Sequence, residues 1–322
     1  MKKALRFSLY VLGTLVIFVG AFVGYFIYTP SPEVPQLSGT LTKGSLEWGR
    51  LKRTYRSYVP RGLPKGAPLV VVLHGSDQNG AEARVWTGYG FDRQADAHGF
   101  AVVYPDGYQG NWDACNIVGD YSANKLHIDD VGFLTALADK LIGELGLDPK
   151  RVFATGVSRG GHMAYRLALE APGRFRAVAA VSANVPIPEN FKCKPAAQGS
   201  ASVMIMDGTA DPLNTFEGGE VKFFGMYARG KVLSARESGR YFADLDHLSG
   251  APETSVAPAM DGFQVERMLW HDGSRTEVEL VAIHGGGHGM PQPYWRNPRL
   301  LGPTASLDGP AMIWAFFAQQ QD

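Results

Sequence analysis

The stretch Val152-Phe153-Ala154-Thr155-Gly156-Val157-Ser158-Arg159-Gly160-Gly161-His162-Met163-Ala164-Tyr165-Arg166-Leu167-Ala168-Leu169 joins a short apolar run, a Gly-x-Ser-x-Gly turn and a run of helical character. A strand that must reverse into a helix within a few residues needs little side-chain bulk beside the reversal, and Gly156 and Gly160 flank Ser158 for that purpose. Such a turn holds the serine in a strained conformation with Oγ exposed, while the new helix aims its first amides and positive dipole end at the same point. Ser158 is therefore the candidate nucleophile. The plainer alternative is a serine that only caps a helix.

Outward from this turn, residues 69–73, 101–104, 178–181 and 203–206 are short, apolar and β-branched, as residues 152–154 are, and each is stopped by Gly, Pro, Asp or Ser. They read as buried parallel strands. Val131, Leu134, Leu137, Ala138, Leu141, Ile142 and Leu145 recur at mostly helical spacing behind Asp129 and Asp130, which suit a helix start. Residues 265–270 and 278–283 flank His271-Asp272-Gly273-Ser274 as a hairpin, and residues 310–319 close the chain as a helix. The expected fold is α/β, a doubly wound, mostly parallel sheet with helices on both faces. Its chemistry belongs in loops at the carboxyl ends of strands.

A serine hydroxyl is too weak an acid to attack an ester unaided, so a histidine base and an orienting carboxylate should follow Ser158 in the chain. Past the strand at 203–206 come Asp207-Gly208-Thr209-Ala210-Asp211-Pro212; past 278–283 come His284-Gly285-Gly286-Gly287-His288. Asp207 competes with Asp211, and His284 with His288. A metal held by His284 and His288 is the weaker reading, because the intervening glycines disfavour a helix and no nearby Cys or Glu completes a site. For the oxyanion, the backbone N–H groups of Ser76, after Leu73-His74-Gly75, and of Arg159 are the natural donors. The alternative is that His74-Gly75 is only a turn.

These motifs, together with Tyr104-Pro105-Asp106-Gly107, Asn111-Trp112 and Asp129-Asp130-Val131-Gly132-Phe133-Leu134, occur in the order that marks the polyhydroxybutyrate depolymerase and feruloyl esterase family of secreted α/β-hydrolases, and the chain resembles that family over about residues 52–320. The resemblance implies an α/β-hydrolase fold, Asp211 as the acid and His288 as the base. It leaves the substrate open, since members cleave polyesters, feruloylated or acetylated sugars and simple esters. Two positions depart from the pattern. Ser76 stands where the family commonly has Cys, and Gly289-Met290-Pro291-Gln292 replaces Thr-Trp-Pro-Gly after the histidine. Losing that tryptophan removes a stacking surface, which puts small acyl esters and hydroxyacid oligomers ahead of feruloyl conjugates. Met290, Trp112 and Trp295 are the candidate substrate-binding residues, although core packing is the commoner role of a Trp.

The 322 residues carry 31 Lys plus Arg and 31 Asp plus Glu, which excludes the positive field that nucleic acid requires. At the N-terminus Lys2, Lys3 and Arg6 precede an uncharged apolar stretch over residues 7–28, long enough at ~1.5 Å per residue to cross a bilayer. The charges place its start in the cytoplasm and the body outside, at the cell surface or in a periplasm. Residues 1–30 are thus expected to be a membrane anchor contacting lipid through 7–28, or a signal sequence that releases a secreted protein. Residues 31–50, rich in Pro and Ser, read as a tether, and 51–322 as the catalytic domain. The 2 Cys residues, Cys115 and Cys193, are either a disulfide, which an extracytoplasmic compartment permits, or two buried thiols.

The leading expectation is an extracytoplasmic serine esterase acting on small-molecule or oligomeric esters, with no cofactor. A serine peptidase on the same fold is the rival, and a non-catalytic binding protein the alternative of another class.

Overall fold

The computed structural model describes residues 2–197, 199–223, 227–271, 273 and 276–320. In chain order the strands are β1 (Thr40–Trp48), β2 (Leu51–Val59), β3 (Leu69–Leu73), β4 (Ala101–Pro105), β5 (Val152–Val157), β6 (Ala177–Val181), β7 (Ser202–Gly208), β8 (Gly219–Phe223), β9 (Tyr227–Val232), β10 (Glu253–Pro258), β11 (Gln264–His271) and β12 (Thr276–His284). The helices are α1 (Lys2–Phe22), α2 (Gly80–Trp86), α3 (Gly90–His98), α4 (Ser122–Lys125), α5 (Asp130–Leu145), α6 (Arg159–Glu170), α7 (Ala235–Leu245) and α8 (Gly309–Ala318).

Ten strands form one sheet in the order β1-β2-β4-β3-β5-β6-β7-β12-β11-β10, and β8 and β9 pair separately. The six central strands, from β4 to β12, run parallel. Antiparallel pairs finish both edges. β3, β4, β6 and β7 are buried at every position, as strands covered on both faces must be. The two-residue alternation divides them between two cores. Leu69, Val71 and Leu73 pack with Phe133 and Leu137 of α5, Met163 of α6 and Phe242 of α7, whereas Val70 and Val72 pack with Phe91 of α3 and Ile313 and Phe317 of α8. Helix α5 starts where expected, because the Asp129 carboxylate accepts from the Gly132 amide at 2.9 Å, and it stops at Gly146 in the left-handed region (φ 64°).

The segment expected as a tether, 31–50, is not one throughout. Its residues 40–48 are β1, paired with β2 from Thr40 opposite Val59 to Trp48 opposite Leu51. Gly49 and Arg50, both at positive φ (56° and 65°), make the two-residue turn between them. β1 was hard to read because it is an exposed edge with few apolar residues, so no buried face imposes an alternation. Gly44 serves it directly: a Cβ there would collide with the Tyr55 ring of β2. β11 and β12 do form the antiparallel hairpin, although Asp272 and Ser274 of its turn lie outside the described residues. β12 also lies parallel to β7, with Ala282 opposite Asp207 and Ile283 opposite Gly208, which sets the loops after these strands side by side.

Candidate active site

Ser158 sits between β5 and α6 at φ 56° and ψ −116°, a conformation costly for a residue with a Cβ and held here by its surroundings. Its amide donates to the Val181 carbonyl at 2.8 Å and its carbonyl accepts from the His162 amide at 3.0 Å. The crossing is tight. A Cβ on Gly156 would meet the backbone of Gly160, and one on Gly160 would meet the carbonyls of Leu73 and His74. Arg159 is the first residue of α6, where a backbone N–H has no partner inside the helix.

Of the two aspartates, Asp211 is the one against a histidine. Its Oδ2 lies 2.8 Å from His288 Nδ1, while its Oδ1 accepts from the amides of Leu213 (2.8 Å) and Asn214 (2.9 Å). The His288 amide donates to the Leu301 carbonyl at 2.6 Å and the His288 carbonyl accepts from Asn297 Nδ2 at 3.1 Å, which fixes the ring's backbone as well. Asp207 lies deeper, in β7, where its Oδ1 accepts from the Ala183 amide at 3.1 Å and its Oδ2 has no partner. Burial, and then the nearby Asp211 charge, pushes its carboxyl well above the usual range, which favours the neutral form. His284 turns elsewhere: its Nε2 is 3.1 Å from Glu266, which also binds Arg236, and the ring is half-exposed. The two histidines thus serve separate carboxylates.

The loop after β3 is held from several sides. The Gly107 amide donates to His74 Nε2 at 2.8 Å and the Gly75 carbonyl lies 2.7 Å from Nδ1, which assigns the proton to Nδ1. Burial pushes the His74 pKa down to about 4, keeping the ring neutral. Trp112 Nε1 donates to the His74 carbonyl at 3.0 Å, and the Trp112 carbonyl accepts from Arg159 Nε at 2.9 Å. The Arg159 guanidinium also bonds to Asn116 and Asn124 and lies 4.1 Å from the centre of the Tyr121 ring. Burial lowers its pKa to about 10, so it stays charged at neutral pH. Asp130 completes the frame, bonded to Arg53 at 2.7 Å and to the Asp113 amide at 2.7 Å.

Two cavities meet at Ser158 and His288. A larger one, of about 580 Å³, is walled by Ser76, Trp86, Met290, Leu300 and Leu301, within the usual size of ligand sites. A smaller one, of about 30 Å³, includes Asn116, Tyr121, His162 and Asn214. His162, enclosed by protein apart from this cavity, has its pKa pushed down to about 3 by burial and then by the Arg159 charge. Met290 lines the larger cavity. Trp112 and Trp295 line neither cavity. Trp112 is fully buried beneath the His74 loop, and Trp295 gives its Nε1–H to the Pro30 carbonyl at 2.5 Å. Both rings are spent on holding backbone, and the aromatic wall is Trp86, which the motifs did not single out. The side-chain roles of His74, Asp130 and Arg159 were also missed, although all three stand inside motifs already marked. Cys115 and Cys193 form a disulfide joining the loop after β4 to the segment after β6.

The family described as esterase, PHB depolymerase, matches residues 53–227. NocK of Nocardia uniformis subsp. tsuyamanensis is 32% identical over 294 residues, which are 86% of this chain and 82% of that one. The poly(3-hydroxyalkanoate) depolymerase C of Paucimonas lemoignei is 32% identical over 252 residues, 73% of this chain and 58% of its own length. Among solved structures, the acetyl xylan esterase from Aspergillus awamori superposes with a TM-score of 0.54 at 17% identity, covering 78% of this chain and 95% of that one, a likeness of fold.

Proposed function

This α/β-hydrolase belongs to the esterase PHB depolymerase family of carboxylic ester hydrolases, and from that membership we propose that it cleaves esters outside the cytoplasm through Ser158, His288 and Asp211. His288 Nε2 takes the proton from Ser158 Oγ as the oxygen attacks the acyl carbonyl, and Asp211 holds Nδ1–H and balances the charge that forms. The tetrahedral oxyanion lies against the amides of Ser76 and Arg159. His288 then returns its proton to the departing alcohol, leaving an acyl-serine. Water, deprotonated by the same ring, attacks that acyl group and releases the acid. No cofactor takes part.

The observation that carries this reading is the Asp211–His288 contact at 2.8 Å in a loop whose histidine shares both cavities with Ser158. Residues 1–30 act as the anchor, supported by the apolar span and the cations before it. Short acyl esters and hydroxyacid oligomers are the expected soluble substrates, favoured by Met290 where the family's pattern has a tryptophan. The test is labelling by a fluorophosphonate, which should attach to the parent and not to Ser158→Ala, together with turnover of p-nitrophenyl butyrate against a matched amide. An unlabelled parent would point to a non-catalytic binding protein. Faster cleavage of the amide would favour the peptidase reading.

A further inference from the structure

Ile27, the last residue of the π-helical turn Val23–Ile27 that follows α1, lines the large active-site cavity beside Leu300 and Leu301. The contact is built. The Arg299 guanidinium lies 4.2 Å from the Tyr25 ring centre, Thr29 Oγ1 donates to the Arg296 carbonyl at 2.7 Å, and Trp295 Nε1 reaches the Pro30 carbonyl. The span Arg6–Ile27 has a mean hydropathy of 2.2 and none of it is buried against the domain. Its apolar surface therefore needs lipid, and its outer end, where Tyr25, Tyr28 and Arg299 gather, has the residue types that settle at headgroup level. With Ile27 at that level, the mouth of the cavity stands at the membrane surface.

The two cavities that meet at Ser158 differ in size. On the Ile27 side the walls include Leu300, Leu301, Trp86 and Met290. The second cavity, of about 30 Å³ beside Asn116, His162 and Asn214, has room for one or two water molecules. The larger cavity is therefore the one with room for the acyl part of an ester cleaved at Ser158. We infer that the substrate class is a long-chain acyl ester resident in the outer leaflet, whose chain enters the larger cavity past Ile27. Lateral entry spares the acyl chain a passage through water. The inference rests on the anchored serine-esterase reading above and puts a long-chain ester in the membrane ahead of the short soluble esters named there.

The experiment uses the full chain in phosphatidylcholine vesicles, with p-nitrophenyl palmitate either in the same vesicles or in separate ones, and p-nitrophenyl butyrate in the water. The expected result is that palmitate in shared vesicles is cleaved at least tenfold faster than palmitate in separate vesicles, and that Ile27→Glu lowers the palmitate-to-butyrate ratio at least tenfold. Equal cleavage in shared and separate vesicles, an unchanged ratio in Ile27→Glu, or butyrate turnover without palmitate turnover would overturn the inference and leave the esterase reading standing. Absence of butyrate turnover would overturn the esterase reading and the inference together. A full chain that fails to float with the vesicles would overturn the anchor and, with it, lateral entry.

Discussion

Asp207 and Asp211 bracket one turn after β7 and meet opposite electrostatic conditions. Asp211 receives two amides and a ring nitrogen; Asp207 receives little, and burial shifts its carboxyl toward the neutral form. A carboxyl with a raised folded pKa contributes stability that is full below the unfolded value and lost as pH rises through the folded one. An amide at position 207 has no such titration. Asp207→Asn is accordingly expected to keep its turnover, with stability at neutral pH no lower than the parent's, whereas Asp211→Asn should lose about ten-thousandfold in kcat. An inactive Asp207→Asn beside an active Asp211→Asn would reverse the assignment of the acid. His74 has the contrary sign. Its folded pKa of about 4 lies below the ordinary imidazole value of about 6.5, so its contribution is full above about 6.5 and lost as pH falls toward about 4. Across that window the loss approaches about 1.4 kcal/mol per pH unit. Urea unfolding at pH 7 and pH 5 should show the drop, and His74→Gln should reduce it, leaving the share of His162, whose pKa is pushed down to about 3; identical slopes in both proteins would exclude His74 as a source.

At the level of elements, the sheet carries its loops into register and a covalent link fixes the least regular of them. Asn116, next to Cys115, accepts from Arg159, and Tyr121 stands over that guanidinium. The Cys115–Cys193 bond closes 78 residues of chain, and a loop of that length restrains the unfolded state by about 2–4 kcal/mol. The double variant Cys115→Ala/Cys193→Ala should lose about that much in a denaturation curve. An unchanged midpoint would mean that the surrounding hydrogen bonds hold the loop alone. Glycine matters at the same scale. Between β5 and α6 it permits a backbone crossing that any Cβ would block, which is why a local motif could announce a feature of the sheet.

For the whole molecule, the domain and the span behave as separate units joined at one rim. Since none of the span is buried against the domain, removal of residues 1–28 should give a soluble protein that retains butyrate turnover, with Thr29 and Pro30 left to bind Arg296 and Trp295. An insoluble, inactive product under several solubilising fusions would show that the segment belongs to the fold. The sequence by itself determined the parallel strands, the turn at Ser158 and the chain order of serine, aspartates and histidines, because these follow from backbone sterics and from burial on two faces, both local in sequence. Residue types and spacing left open which aspartate meets which histidine, and only the family resemblance pointed to Asp211 and His288. Asp211 and His288 are brought together only by β12 lying beside β7, and the sheet order that does so is a long-range choice. The edge strand β1, the burial of Trp112 and Trp295, and the meeting of Ile27 with the cavity were likewise decided by tertiary structure. An edge strand has no second buried face to impose a pattern, and a tryptophan reads alike in sequence whether its ring lines a cleft or supports a loop.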